Sequence, residues 1–353
     1  MRRIAQAAAA ETLPRFRAEG AVTNKIPGDF DPVTEADRES ERAIRALIGA
    51  EFPGHGILGE EYGSENLSSS HVWVIDPIDG TRAFISGVPT WGTLVGLTVD
   101  GDAVAGMMSQ PFTGELFYAN ASGAHYEGPG GPRQLRTRAT TRLDEATLFT
   151  TTPALFKGDA RGLYDRFETR FRLARYGVDC YAFAMLAAGG IDVVVDPDLK
   201  PYDIVALIPI IEKAGGVITT FTGGAPENGG DIVAAATPEL HEAAMEALRR
   251  EGAAPHFPLR GAGPARGLGG EPLGLRRRRG AGGGPRFRAG GSLAGNANPV
   301  QATTDTEAER TRRASFSADE SEEGERRLGI LRRRQKYTPR GAIAPRGSTD
   351  RPF

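Results

Sequence analysis

Val72-Trp73-Val74-Ile75-Asp76-Pro77-Ile78-Asp79-Gly80-Thr81 places four apolar residues directly ahead of two carboxylates. A short apolar run of this kind predicts a buried strand. In α/β folds ligands gather at the carboxyl ends of strands, so Asp76 and Asp79 are expected at a site rather than in the core. The proline and glycine among them predict a turn. Magnesium takes oxygen ligands in near-octahedral geometry and keeps waters beside one or two carboxylates. Asp76, the Ile78 carbonyl and Asp79 therefore suit two adjacent ions. A helix starting near Gly80 would aim its free N–H groups at a bound phosphate.

Three further acidic positions extend the set. Gly59-Glu60-Glu61 follows the apolar pair Ile57-Leu58 and supplies another hard oxygen donor in Glu60. Asp203, in Lys200-Pro201-Tyr202-Asp203, opens a predicted helix, where the dipole favours the ionised carboxylate. Asp31-Pro32-Val33-Thr34-Glu35-Ala36-Asp37 puts Asp37 at another helix start. For Asp37 and Asp203 the competing reading is plain N-capping. Each position is weak evidence by itself; the order in which they recur is specific.

Around these residues the chain alternates helix and strand signals from Arg2 to about Gly252. An amphipathic helix is expected at the start and another over Asp37–Ala50, with Ala43, Ile44, Leu47 and Ile48 as its apolar stripe. Thr93–Val99 and Ala103–Met108 flank Asp100-Gly101-Asp102, a hairpin signal, and further hairpin strands run to about Tyr126. Helices are expected over Leu163–Phe171, Cys180–Ala188, Asp203–Ala214 and Glu239–Arg249, and strands over Ile191–Val195, Val217–Phe221 and Ile232–Ala236. This predicts an α/β (α+β) body with a large antiparallel component.

These motifs resemble the inositol monophosphatase superfamily, whose two signatures match Trp73–Thr81 and the segment from Asp203 to Gly215-Gly216. Within it the chain most resembles the histidinol-phosphatase branch. The likeness rests on Asp79-Gly80-Thr81-Arg82-Ala83-Phe84-Ile85-Ser86-Gly87, Pro89-Thr90-Trp91-Gly92-Thr93-Leu94 and Lys200–Leu207, and spans about residues 2–250. It implies a layered α/β/α/β/α sandwich of the inositol monophosphatase/fructose-1,6-bisphosphatase type. It also implies that Glu60, Asp76, the Ile78 carbonyl, Asp79 and Asp203 hold two or three Mg²⁺. Thr81 and Asp37 would orient and activate a water for in-line attack, while the Gly80 and Thr81 amides grip the phosphate. Asp196 falls where the family has a substrate-contacting Glu, one methylene longer. Arg82, Trp91, Asp179 and Tyr181 complete the expected shell around the leaving alcohol, and Asp179 and Asp196 suit the ammonium and imidazole of histidinol phosphate. Inositol 1-phosphate, or another small sugar or nucleotide phosphate, is the alternative substrate. Members of the family often dimerise, so a homodimer is a further expectation.

Composition narrows the field. The 353 residues carry a formal charge of −2, but residues 253–353 hold 20 Lys/Arg against 10 Asp/Glu, leaving the first 252 at −12. We expect a phosphatase domain over 1–252 and a disordered Arg/Gly/Pro-rich tail over 253–353, whose apolar content is too small to offset ordering. Arginine clusters such as Arg276–Arg279 suit nucleic-acid phosphates, but no aromatic interleaving accompanies them, so nucleic acid is not the expected partner. With one cysteine and no long apolar run, no disulfide and no membrane span are expected, and the chain reads as cytoplasmic. Other phosphatase chemistries lack their residues. Leu186 stands where a cysteine phosphatase needs Arg after Cys180, the five histidines cluster with nothing in sequence, and Lys200 breaks the aspartyl-phosphate pattern after Asp196-Pro197-Asp198.

Overall fold

The structure is a computed structural model, and it describes residues 1–18, 22–24 and 32–250. The expectations for residues 253–353 lie outside the described residues.

Helix α1 (Arg2–Thr12) precedes a two-stranded ribbon of β1 (Val22–Asn24) and β2 (Pro32–Thr34). Helix α2 (Glu35–Glu51) begins where Thr34 caps it. The Ala36 amide donates to Thr34 Oγ1 at 3.1 Å, and the Thr34 amide donates to Asp37 Oδ2 at 2.8 Å. This reciprocal box satisfies donors that a helix start leaves open.

Eight strands follow: β3 (Gly56–Gly59), β4 (Gly63–Glu65), β5 (His71–Asp79), β6 (Gly92–Val99), β7 (Asp102–Gln110), β8 (Glu115–Asn120), β9 (Gly123–Glu127) and β10 (Arg133–Gln134). They form one sheet in the order β10-β9-β8-β7-β6-β5-β3-β4, antiparallel except where β3 runs parallel to β5. The expected β6–β7 hairpin is present, and Asp100 (φ +52°) and Gly101 (φ +96°) supply the two left-handed residues its tight turn requires. The short helix α3 (Thr81–Ile85) leaves the end of β5.

The second sheet contains β11 (Thr147–Thr150), β12 (Leu173–Tyr176), β13 (Val193–Leu199), β14 (Val217–Thr220) and β15 (Gly230–Ala235), ordered β12-β11-β13-β15-β14. Between and after these strands lie α4 (Asp159–Glu168), α5 (Asp179–Ala187), α6 (Pro201–Ile204), α7 (Ile208–Ala214) and α8 (Pro238–Arg250).

Alternation of side chains across each strand divides the core into layers. Val95 and Met107 face Ile4, Ala8, Ile44 and Ile48 of α1 and α2, whereas their neighbours Leu94 and Met108 face α5 and α7. Val194 and Ala234 close that middle layer from the second sheet, while Val193, Val195 and Val233 pack against α4 and α8. The order is therefore α/β/α/β/α, as the resemblance implies. Among the described residues no helix is long and apolar enough to cross a membrane.

Two local expectations are corrected. The single helix over Asp203–Ala214 is two, α6 and α7; Pro209 lies in the first turn of α7, where its missing N–H costs nothing, and cannot sit mid-helix. The Asp76–Asp79 turn is part of β5, as a bulge. The α6–α7 link lies directly on the large sheet. Gly96 and Gly106 face each other across β6 and β7, and a Cβ on Gly96 would come within 2.8 Å of Val205 Cγ1. One on Gly106 would run into the Ala206 carbonyl. This paired-glycine notch sets the link, and Asp203 just ahead of it, onto the sheet.

Candidate active site

In a regular strand Asp76 and Asp79, three residues apart, would project to opposite faces. The bulge prevents this. Asp76 pairs with Leu94 and Asp79 with Gly92, so three steps along β5 oppose two along β6. Pro77 is tolerated because a bulge leaves one position outside the ladder. The bulge is locked locally: the Ile78 amide donates to Asp76 Oδ1 at 3.0 Å, and Thr93 Oγ1 donates to the Pro77 carbonyl at 2.9 Å. Thr81 Oγ1 donates to the Ile78 carbonyl at 3.1 Å, which ties the start of α3 to the same loop.

Asp203 arrives from the other side of the notch. Pro201 opens α6, and the Lys200 amide donates to Asp203 Oδ2 at 2.6 Å, so the capping reading of Asp203 holds as well. One carboxylate oxygen from each of Asp76, Asp79 and Asp203 lies within 4.8 Å of the others. Glu60 joins them because parallel pairing sets Gly59 opposite Ile75, and the Glu60 amide donates to the Ile75 carbonyl at 3.1 Å. Its side chain hydrogen-bonds Asp76.

Crowding acids in a buried site raises the cost of ionising them. Burial pushes the Asp76 carboxyl well up, and Glu60, Asp79 and Asp203 push it further. Asp79 is raised by burial, then by Asp179 and Asp203, against the Cys180 amide that donates to Asp79 Oδ2 at 2.7 Å. Burial takes Asp203 up to about 7, opposed by the Lys200 amide and reinforced by Glu60.

The other expected residues fall around this cluster. Asp37 is fully buried in the first turn of α2, where Oδ2 also accepts Thr34 Oγ1 at 2.6 Å. The adjacent Ala36 packs with Ile78 and Phe84, bringing that turn against α3. Gly80 adopts φ +81°, and a Cβ there would lie 3.0 Å from Asp179 Oδ2. Asp179 opens α5 at φ +43°; burial raises its carboxyl, while Arg82 and the Thr151 hydroxyl oppose the shift. Arg82 is exposed at the rim. Asp196 is buried on β13, where Oδ1 accepts Thr150 Oγ1 at 2.8 Å and the Thr151 amide at 2.7 Å, and Oδ2 accepts Thr151 Oγ1 at 3.1 Å. Burial carries it up to about 7. Thr151 thus gives both its amide and its hydroxyl to Asp196 while lying beside Asp179, an arrangement no sequence motif announces. Trp91 is fully buried among Phe16 and Phe84, and the part-buried Tyr181 donates its hydroxyl to Glu115 at 2.6 Å.

A five-layer α/β sandwich whose bulged strand gathers hard acidic donors beside a helix start has the plan of a phosphoric monoester hydrolase. The chain belongs to the inositol monophosphatase family, whose sequence profile matches residues 2–253. It is 38% identical over 244 residues to a protein named bifunctional phosphatase IMPL2, chloroplastic, of Arabidopsis thaliana, covering 66% of this chain and 69% of that one. It is 34% identical over 240 residues to a histidinol-phosphatase of Mycobacterium tuberculosis, covering 65% and 90%. A solved inositol monophosphatase from Zymomonas mobilis superposes with a TM-score of 0.63 at 37% identity, covering 70% of this chain and 95% of that one. The chain is thus a phosphatase of this family.

Proposed function

We propose that the protein hydrolyses histidinol phosphate with Mg²⁺ held by Glu60, Asp76, the Ile78 carbonyl, Asp79 and Asp203. The observation that carries the reading is the convergence of Asp76, Asp79 and Asp203 within 4.8 Å, with Glu60 against Asp76. The donor set fits the ion: every group is a hard oxygen, and the burial and mutual repulsion that raise these carboxyls are relieved by a divalent cation. The reading takes two or three ions per site. Bound there, Mg²⁺ offsets the repulsion between a phosphate dianion and an incoming oxygen nucleophile and acidifies water.

The chain supplies position and proton acceptance. The open amides at the start of α3, those of Gly80 and Thr81, orient the phosphate. Thr81 Oγ1 and the Asp37 carboxylate orient the attacking water, with Asp37 as the proton-accepting group. Asp179, beside Gly80 and near the Arg82 charge, is the carboxylate we assign to a cationic leaving alcohol, and Asp196 holds the neighbouring Thr151.

A phosphate-release panel tests the reading, using histidinol phosphate, myo-inositol 1-phosphate, fructose 1,6-bisphosphate and nucleotide 3′-phosphates with and without Mg²⁺. Histidinol phosphate is expected to show the highest kcat/KM. Equal rates, or preference for the inositol ester, would overturn the substrate and leave the metal chemistry standing. Release independent of divalent cations would overturn the metal assignment.

A further inference from the structure

Helix α2 carries a second buried carboxylate one turn after Asp37. Glu41 is 0% exposed, and a carboxylate so placed requires compensating donors. Its Oε2 accepts the Glu61 amide at 2.7 Å, and its Oε1 accepts the Tyr62 amide at 3.3 Å. Arg45, on the next turn of the same helix, donates from Nε to Glu41 Oε1 at 2.7 Å and reaches the Gly63 carbonyl with its other end. A Cβ on Gly59 would overlap the Glu41 carboxyl, so this side chain lies directly against the Gly59 backbone. The Glu41–Arg45 pair therefore grips the β3–β4 turn on both sides of Glu60, whose own amide is tied to β5.

We propose that Glu41 is a positioning residue that, with Arg45, fixes the Glu60 turn so that the Glu60 carboxylate meets Asp76 before any cation arrives. The inference rests on the reading of Glu60 as a metal ligand. Its physical content is preorganisation. Without a cation to draw it in, a free turn would let Glu60 swing away from Asp76. A cation would then spend binding energy drawing the turn back. Glu41 thus sets the affinity for Mg²⁺ rather than the rate once Mg²⁺ is saturating. Asp37 and Glu41, four residues apart on one face of α2, make this helix the common support of the water side and the Glu60 side of the site.

Glu41→Gln and Glu41→Asp test the role. Each is expected to bind Mg²⁺ about tenfold more weakly by calorimetry and to need about tenfold more Mg²⁺ for half-maximal phosphate release. The kcat at saturating Mg²⁺ and the KM for the ester stay near wild type. A purely architectural pair would lower Tm and leave Mg²⁺ affinity within twofold of wild type; that result in a folded variant overturns the proposal. Should neither variant fold, amide exchange on the metal-free wild-type protein decides. Protected Glu61 and Tyr62 amides, unchanged by Mg²⁺, support the clamp, and amides that exchange freely until Mg²⁺ is added overturn it. If the wild type binds Mg²⁺ but cleaves no ester on the panel, the functional reading fails while calorimetry and exchange still judge the clamp.

Discussion

Asp79 shares its cluster with Asp76 and Asp203, and the Cys180 amide sets its orientation. Asp79→Asn keeps the shape and one acceptor but removes the charge, so phosphate release should fall by orders of magnitude in a folded protein. Activity within about tenfold of wild type at saturating Mg²⁺, a loss of only ~1.4 kcal/mol of barrier stabilisation, would contradict its role as a ligand. Thr81→Ala and Asp37→Asn should each be severely impaired and the double variant little worse, because residues acting on one water are not additive. Asp37 also closes the cap of α2, so Asp37→Asn should cost about 1 kcal/mol of stability as well, and melts must accompany the kinetics. Multiplicative losses in kcat would show separate roles. The acids themselves were legible in the sequence because they recur in a specific order along the chain, although Asp37 and Asp203 also cap their helices. Their supports were not. Cys180 lies 101 residues from Asp79, Glu41 20 from Glu61, and Thr151 45 from Asp196, and in each case at least one hydrogen bond runs to or from a backbone amide that any residue type would supply.

Two elements convert these residues into a site: the β5 bulge and the glycine notch under the α6–α7 link. The notch makes a prediction that separates architecture from function. Gly106→Ala drives a methyl into the Ala206 carbonyl and must displace the link that follows Asp203. Overpacking of this kind costs about 1–3 kcal/mol, and the variant is expected to lose Mg²⁺ affinity along with Tm. Gly101→Ala is the control: at φ +96° with no atom near its Cβ, it carries backbone strain alone. Its Tm should fall while its Mg²⁺ dependence stays put. Equal Mg²⁺ curves for both variants would detach Asp203's position from the notch. Elements with a local signal were readable, such as the Asp100-Gly101 hairpin and the stripe of α2. The bulge was not, since counting along Asp76–Asp79 gives a turn as readily as an extra residue. Strand β12 was missed because Leu173, Arg175 and Tyr176 are exposed on an edge and show no alternation.

At the scale of the whole molecule the strand and helix signals gave an α/β body, but the five-layer order came from the resemblance, because local periodicity does not say which face meets which sheet. The layers bury several carboxyls at once, and this has a consequence for stability. Burial pushes Asp196 and Asp203 up to about 7 and raises Asp76 and Asp79 as well. In the unfolded chain an aspartate releases its proton near 4. Between about pH 4 and pH 7 the folded protein therefore holds more protons than the unfolded one, and its stability falls as pH rises through that window. Metal-free protein should accordingly show a Tm that declines from about pH 5 to about pH 8. Mg²⁺ binds the deprotonated cluster, so protons compete with it, and the rise in Tm on adding Mg²⁺ should be larger at about pH 8 than at about pH 5.5. Asp196 separates the two effects. Its carboxyl is taken up by Thr150 and Thr151 rather than by the cluster, so Asp196→Asn should flatten part of the metal-free decline and leave the Mg²⁺ increment intact. Thermal melts across this range, with and without Mg²⁺, check both statements. A metal-free Tm that climbs with pH, or a Mg²⁺ increment independent of pH, would mean that these buried acids are already ionised in the folded protein without a cation.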